Sequence, residues 1–190
     1  DVNQGWRVTE RFGDLADQTA DGVNESILDA AGSGASGIWL KVGSAVTFGE
    51  VATALKGVYL DLIPVTLDAG SEGIAVAHEF LKLLANGPAA PEEAPVLLST
   101  THSLGLSSYT AAYSGRASVP ADQAAALAVD VPERVRTFRV DGTDFAQAGA
   151  TNAQELGLIV AAALAHVRDL TTVGLTPAQA LGQISFAVAV

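Results

Sequence analysis

Three histidines and a few acids hold whatever proton chemistry this chain can offer. His102 lies in Thr100-Thr101-His102-Ser103, directly after Val96–Ser99, an apolar run that reads as a strand. Asp68 follows a second such run, Leu60–Leu67, and Asp141 and Asp144 flank the end of a third, Thr137–Val140. An imidazole beside a carboxylate is a common acid–base pair, because the carboxylate fixes the ring's tautomer and tunes its pKa. The candidate site is therefore His102 with Asp68 or Asp144, with Thr100, Thr101 and Thr143 as hydrogen-bonding groups. A plainer reading competes and is preferred: short acids after strands satisfy loop and helix N–H groups.

Other patterns fail on spacing. His78-Glu79 opens like a zinc-protease helix, but Lys82 stands where the second histidine is required, and no ligands converge. Gly32-Ser33-Gly34-Ala35-Ser36-Gly37 matches G-x-G-x-x-G in letters only. A dinucleotide loop needs a strand before it and a helix after it; here the order is reversed, so it is a helix stop and turn. His78 and His166 read as structural or surface residues. No metal site is expected.

These residues ride on alternating strand-like and helix-like segments. Trp6–Phe12 reads as a strand and Asp17–Ala31 as a helix; Gly37–Val42 is a short strand, and Thr47 with Glu50 forms a capping box. Leu60–Leu67, apolar nearly throughout, suits a strand covered on both faces. Ser71–Ala85 has helical spacing, and Pro88–Glu93 is a loop. After Val96–Ser99, Leu104–Asp130 reads as mostly helical, broken near Gly115–Val119. Thr137–Val140 is a fifth strand. A short Ala/Gly loop then leads to a helix capped by Thr151 and Gln154, with Leu156, Ile159, Val160, Ala163, Val167 and Leu170 at helical spacing and Gly174 as its stop. Thr176-Pro177-Ala178-Gln179 caps a short helix before a sixth strand, Ile184–Val190.

Six strands alternating with helices predict an α/β fold with a parallel sheet. One architecture is a (β/α)8 TIM barrel, truncated to about six strands, since a whole barrel takes about 250 residues. The other is an open doubly wound sheet, flavodoxin-like; it is disfavoured because Phe12-Gly13-Asp14 is no phosphate-cradling loop. The chain ends on an apolar strand without a covering helix, which favours the truncated barrel and predicts self-association through exposed strand edges. It begins at Asp1 without a methionine, so a longer natural chain is expected.

The wording of one stretch is more specific than its pattern. Gly142–Leu170, GTDFAQAGATNAQELGLIVAAALAHVRDL, followed by TTVGLT, a T-P-x-Q turn and QISF, resembles the barrel domain of adenosylcobalamin-dependent methylmalonyl-CoA mutases. In that family's catalytic subunits the loop reads approximately G-Y-H-x-x-E-A-G-A. Here Thr143 matches the tyrosine, Asp144 the active-site histidine and Gln147 the glutamate, while Ala148-Gly149-Ala150 is retained. This pattern is similar to the non-catalytic small subunit of the heterodimeric bacterial enzymes. Gly5-Trp6-Arg7-Val8 and Gly57–Gly70 carry the same likeness, which is weakest between Asn86 and Pro132.

The resemblance implies a single domain over residues 1–190, a partial acyl-CoA mutase barrel without the cobalamin-binding domain. It implies an isomerase complex of propionate metabolism that interconverts (R)-methylmalonyl-CoA and succinyl-CoA. The large subunit would carry adenosylcobalamin and catalysis; this chain would bind no cofactor and supply no catalytic residue. The family's cobalt-binding D-x-H-x-x-G loop does not occur in the sequence. The alternative remains a self-sufficient (β/α)-barrel acid–base enzyme using His102 with Asp68 or Asp144.

Composition narrows the partners. The net charge of −11 repels phosphate backbones and anionic lipids, so neither nucleic acid nor a membrane surface is an expected partner. The longest apolar run, within Leu156–Ala165, falls far short of the roughly 20 residues that span a bilayer, and the cytoplasm is the expected location. Hydrophobic residues at 49% suffice for a folded core, and the lack of cysteine removes disulfide and thiolate chemistry.

Overall fold

A computed structural model describes residues 7–86 and 100–188. The chain divides into two compact units, Asp1–Asp68 with Ala75–His102, and Ala69–Ile74 with Ser103–Val190. The strand–helix alternation runs through both.

In the first unit, β1 (Thr9–Phe12), β2 (Gly37–Lys41) and β3 (Val65–Asp68) pair in parallel, with Phe12 beside Leu40 and Leu40 beside Leu67. Helix α1 (Ala20–Gly32) connects the first pair, and α2 (Val51–Ala54) the second. Alternation places Ile38, Leu40, Val65 and Leu67 in the core, with Val23 and Ile27 of α1 and Val76, Ala77 and Phe80 of α3 (Gly73–Asn86) also buried. Thr19 caps α1 by accepting from Gly22 N–H at 3.2 Å. Glu50 accepts from both the N–H and the hydroxyl of Thr47, closing the expected box.

The second unit holds β4 (His102–Leu106, from Ser103 on), β5 (Val135–Asp141) and β6 (Ile184–Ala187), side by side in chain order. Phe138 lies beside Ile184 and Asp141 beside Ala187, again in parallel. Helix α4 (Ala121–Ala128) precedes β5; α5 (Gly142–Gln147), α6 (Asn152–Thr172) and α7 (Pro177–Gly182) separate β5 from β6. Capping boxes at Thr151/Gln154 and Thr176/Gln179 form as their spacing requires. The buried stripe of α6 is Glu155, Ile159, Ala162, Ala163, His166 and Leu170, whereas Leu156 and Val160 face outward.

Strand order decides the architecture. His102, the first residue of β4, accepts a hydrogen bond from Val65 N–H, which puts the start of β4 beside β3. A doubly wound sheet would return the chain to β1 or set β1 between β2 and β3. Within each unit the strands follow one another in chain order with helices between them, the (β/α) pattern of six parallel strands and the expected class.

Several expected elements moved. Leu60–Leu67 is not one strand: Tyr59–Ile63 turns, with Leu62 and Ile63 N–H both donating to Tyr59 C=O, and β3 begins only after Pro64, whose nitrogen has no hydrogen to donate. Leu104–Asp130 is not mostly helical. It contains the last part of β4, a 3-10 turn at Ala111–Ser114 and then α4. The expected loop after β5 is α5. Pro88–Glu93 and Val96–Ser99 lie outside the described residues, and the fourth strand described is His102–Leu106.

Candidate functional site

Barrel enzymes place their chemistry at the carboxyl ends of the strands, and in the second unit that end is filled with ionised groups. Asp141 terminates β5 and caps α5, its Oδ1 accepting from Thr143 N–H at 3.1 Å and from the Thr143 hydroxyl at 2.5 Å. One turn on, Asp144 is 1% exposed and accepts a two-pronged bond from Arg116: Nε to Oδ1 at 3.0 Å and Nη2 to Oδ2 at 2.7 Å. Ser114 adds its hydroxyl to the same Oδ1. Arg116 also reaches Asp141 Oδ2 at 3.4 Å, and Arg139, itself buried within β5, lies 3.2 Å from that oxygen.

Two guanidiniums and two carboxylates thus make a charge-balanced network. Burial pushes the Asp144 carboxyl up, but the hydrogen bonds from Arg116 and Ser114 outweigh it and hold the group below its usual range. Asp144 is therefore an ionised acceptor. It cannot lend a proton at neutral pH.

Gly142 lets α6 approach this corner. A Cβ there would lie 2.4 Å from Ile159 Cδ1 and 2.5 Å from Glu155 Oε1, closer than any side chain tolerates. Phe145 of α5 meets Tyr113 edge-on, at 5.0 Å between ring centroids. Beside them lies a shallow groove of about 580 Å³, lined in part by Ala150, Gln154, Gly157 and Leu158.

His102 is placed otherwise than its sequence context suggests. It opens β4 and so sits at the amino end of that strand, while Val96–Ser99, which it was expected to follow as a strand, lies outside the described residues. Its Nδ1 accepts from Val65 N–H at 3.1 Å, which leaves Nε2 as the protonated nitrogen, in contact with the Leu60 backbone. Phe80 packs edge-on to the ring at 5.2 Å. Burial lowers its pKa to about 4. Because Val65 starts β3 and Asp68 ends it, His102 and Asp68 are separated by about 10 Å along that strand at ~3.3 Å per residue. That expected pair does not assemble.

Asp68 belongs to a different group of charges in the first unit. Arg11 lies 3.6 Å from Asp68, holds Asp14 through two bonds of 2.7 and 3.0 Å, and stacks 5.2 Å above the Trp39 ring. Lys41 completes the group, 3.4 Å from Asp14. Of the three threonines, Thr143 serves Asp141, Thr100 is buried, and Thr101 is exposed.

His166, read from sequence as structural or surface, is fully buried between Phe138 at 4.0 Å and Tyr109 at 4.7 Å. Neither ring nitrogen has a hydrogen-bond partner among the described residues, and burial lowers its pKa to about 4. Tyr109 donates to Asp169 at 2.6 Å, a bond that pushes its hydroxyl up to about 12. His78 is exposed on α3. No three His, Asp or Glu residues among those described converge on a metal position.

Sequence reasoning missed Arg116 and Arg139, the cations that decide the site. Arg139 left a signal, since a charge inside a strand demands a buried partner. Arg116 left little, because Gly115-Arg116 looks like any exposed turn.

A (β/α)-barrel segment with Asp144 paired to Arg116 at the end of β5 defines the class, a protein of the (β/α)-barrel type. The methylmalonyl-CoA mutase family profile matches residues 28–190. The chain is 39% identical over 192 residues to the "Probable methylmalonyl-CoA mutase small subunit" of Mycobacterium bovis and to that of Mycobacterium tuberculosis, covering 100% of this chain and 30% of each relative. It is 34% identical over 183 residues to the "Methylmalonyl-CoA mutase small subunit" of Streptomyces virginiae, covering 96% of this chain and 29% of the relative. The chain belongs to the methylmalonyl-CoA mutase family. It spans about 30% of the length of those curated relatives.

Proposed function

We propose that this chain is part of the non-catalytic small subunit of a cytoplasmic, adenosylcobalamin-dependent methylmalonyl-CoA mutase. In this reading a large subunit binds the cofactor and interconverts (R)-methylmalonyl-CoA and succinyl-CoA, while this chain contributes a structural partner. The observation that carries it is the state of Asp144. At the position matching the family's active-site histidine stands a carboxylate 1% exposed, bound by Arg116 and Ser114 and held ionised. A thioester carbonyl gaining charge needs a proton donor or a cation beside it. Here the donor is missing and Arg116 is engaged by two acids.

The described histidines do not suit a corrin cobalt either. Both nitrogens of His102 are committed, His166 is enclosed between rings, and His78 stands on the outside of a helix. No step through that cofactor is assigned to this chain. The acid–base alternative built on His102 draws no support from a ring whose nitrogens are both occupied.

The test is turnover of methylmalonyl-CoA by the full-length subunit containing this chain, supplied with adenosylcobalamin, with and without a large subunit. Activity is expected only with the large subunit. Turnover by the small subunit alone overturns the proposal.

A further inference from the structure

His166 is a buried base without a hydrogen-bond partner. Its ring is enclosed between Phe138 and Tyr109, and neither nitrogen is bonded among the described residues, although a neutral imidazole carries one donor and one acceptor. The acid nearest in sequence, Asp169, stands three residues further along α6, a spacing that puts both side chains on one helix face. Asp169 is engaged elsewhere: its Oδ2 accepts from the Tyr109 hydroxyl at 2.6 Å. The Tyr109 ring that makes this bond also covers His166, and it is only half-buried. One side chain thus shields the base and occupies its acid.

Among the described residues, Asp169 is the charge that acts on the ring. The buried face of α4 is Ala124, Ala125 and Ala128; α7 offers Ala180 and β6 Ile184. On β5, Arg139 and Asp141 point to the side opposite Phe138, while Arg136, on the same side as Phe138, is exposed. Asp144 of α5 is held by Arg116, and Arg168 of α6 faces solvent.

We propose that Tyr109, Asp169 and His166 form a proton-driven latch. In the closed form Tyr109 donates to Asp169 across a neutral ring. Acid adds one proton from solvent to His166; the imidazolium then donates to the Asp169 carboxylate, and the Tyr109 hydroxyl leaves it for water. The net change is the single proton taken up. Tyr109 lies in the segment that leads from β4 to Ser114 and Arg116, so its release frees the start of the arm that holds Asp144. Burial holds the pKa of the closed ring at about 4, whereas an open ring beside a carboxylate titrates at its usual 6.5 or above. The opening equilibrium therefore grows about thirtyfold or more between pH 7.5 and pH 5.

The experiment is an NMR titration of the full-length subunit labelled at histidine 13Cε1 and tyrosine 13Cζ. His166→Phe assigns the His166 signal, and proximity to that ring assigns Tyr109. The two signals should move at one midpoint while the subunit stays folded. Tyr109→Phe keeps the ring and removes the bond, so it should raise the His166 midpoint by about one pH unit. Adding Asp169→Asn should take back about as much, because the imidazolium then lacks its carboxylate. A Tyr109 that served only as packing would leave the midpoint where it was. Four results overturn the proposal: a midpoint unchanged in Tyr109→Phe, a raised midpoint that Asp169→Asn does not lower, a Tyr109 signal indifferent to the charge on His166, or unfolding of the parent before His166 titrates. The comparison of the two signals in the parent decides the matter even where a variant at Tyr109 fails to fold.

Discussion

Asp144 and Arg116 form a pair in which each residue makes the other tolerable. Removing the guanidinium leaves a carboxylate buried without its main partner, the situation in which breaking an ion pair costs most. Arg116 is itself 34% exposed, which lets water offset part of the loss. Arg116→Met should therefore destabilise the fold by about 2 kcal/mol in urea unfolding, at the low end for a buried pair; a change indistinguishable from zero would show that Asp144 does not depend on it. The histidines make a separate prediction with a defined sign. His102 and His166 have folded pKa values near 4 against a usual 6.5, so both states are neutral above pH 6.5 and the stability contribution is complete there. As pH falls from 6.5 towards 4 the unfolded chain takes up protons that the folded chain refuses, and stability is lost. Between pH 6.5 and 5 the loss should be about 2 kcal/mol for each ring. His166→Phe should remove about half of it, since its ring sits between Phe138 and Tyr109 with no hydrogen bond to forfeit. Equal pH dependence in that variant and the parent would refute the assignment. Asp144, held below its usual range, adds its own loss only at pH values below those of the histidines.

At the level of elements, the corner between α5 and α6 is set by two backbone demands. Thr151 and Gln154 satisfy the first-turn N–H groups of α6, and Thr151→Ala should cost about 1 kcal/mol. Gly142 has little room for a Cβ, which would lie 3.0 Å from the Ala187 carbonyl oxygen and would push aside the buried ends of Ile159 and Glu155, so Gly142→Ala should cost about 2 kcal/mol. The order of those two losses in thermal or urea melts checks the packing: a harmless Gly142→Ala would mean that the corner is looser than described. Elements with strong local signals could be read from the chain. The boxes at Thr47, Thr151 and Thr176 marked helix starts because side chain and backbone meet within three residues. What could not be read depended on distant partners. The last three residues of β4 read as the start of a helix because Leu104, Gly105 and Leu106 show no clear period, and only burial on both sides makes them a strand. Leu60–Ile63 reads as strand because it is apolar, but apolarity is not burial: Leu62 is 68% exposed.

For the whole molecule, the family resemblance lay in the Ala148-Gly149-Ala150 loop and the α6 wording, and the relatives confirm it over the length of this chain. The acid at position 144 is visible as a letter, whereas the network that holds it is not. Ser114 and Arg116 lie roughly thirty residues before Asp144 in sequence, and nothing local links them. No helix among the described residues is long and apolar enough to cross a membrane. If, as proposed, the strand ends serve structure and not chemistry, an imidazole at position 144 should not confer activity. Asp144→His should remain without turnover in the absence of a large subunit and should lose stability, because Arg116 would then face an imidazole in place of its carboxylate. Turnover by that variant alone would mean that a single residue separates scaffold from enzyme.

The ionisation of Asp144 is the point on which the account turns, and it can be measured. In a 13C NMR titration of the carboxyl carbons, with Asp144→Asn to assign the resonance, Asp144 should titrate below the usual 3.8 and show no transition between pH 5 and 8. A carboxyl taking up its proton near neutral pH would contradict the account, because the end of β5 would then hold a working acid.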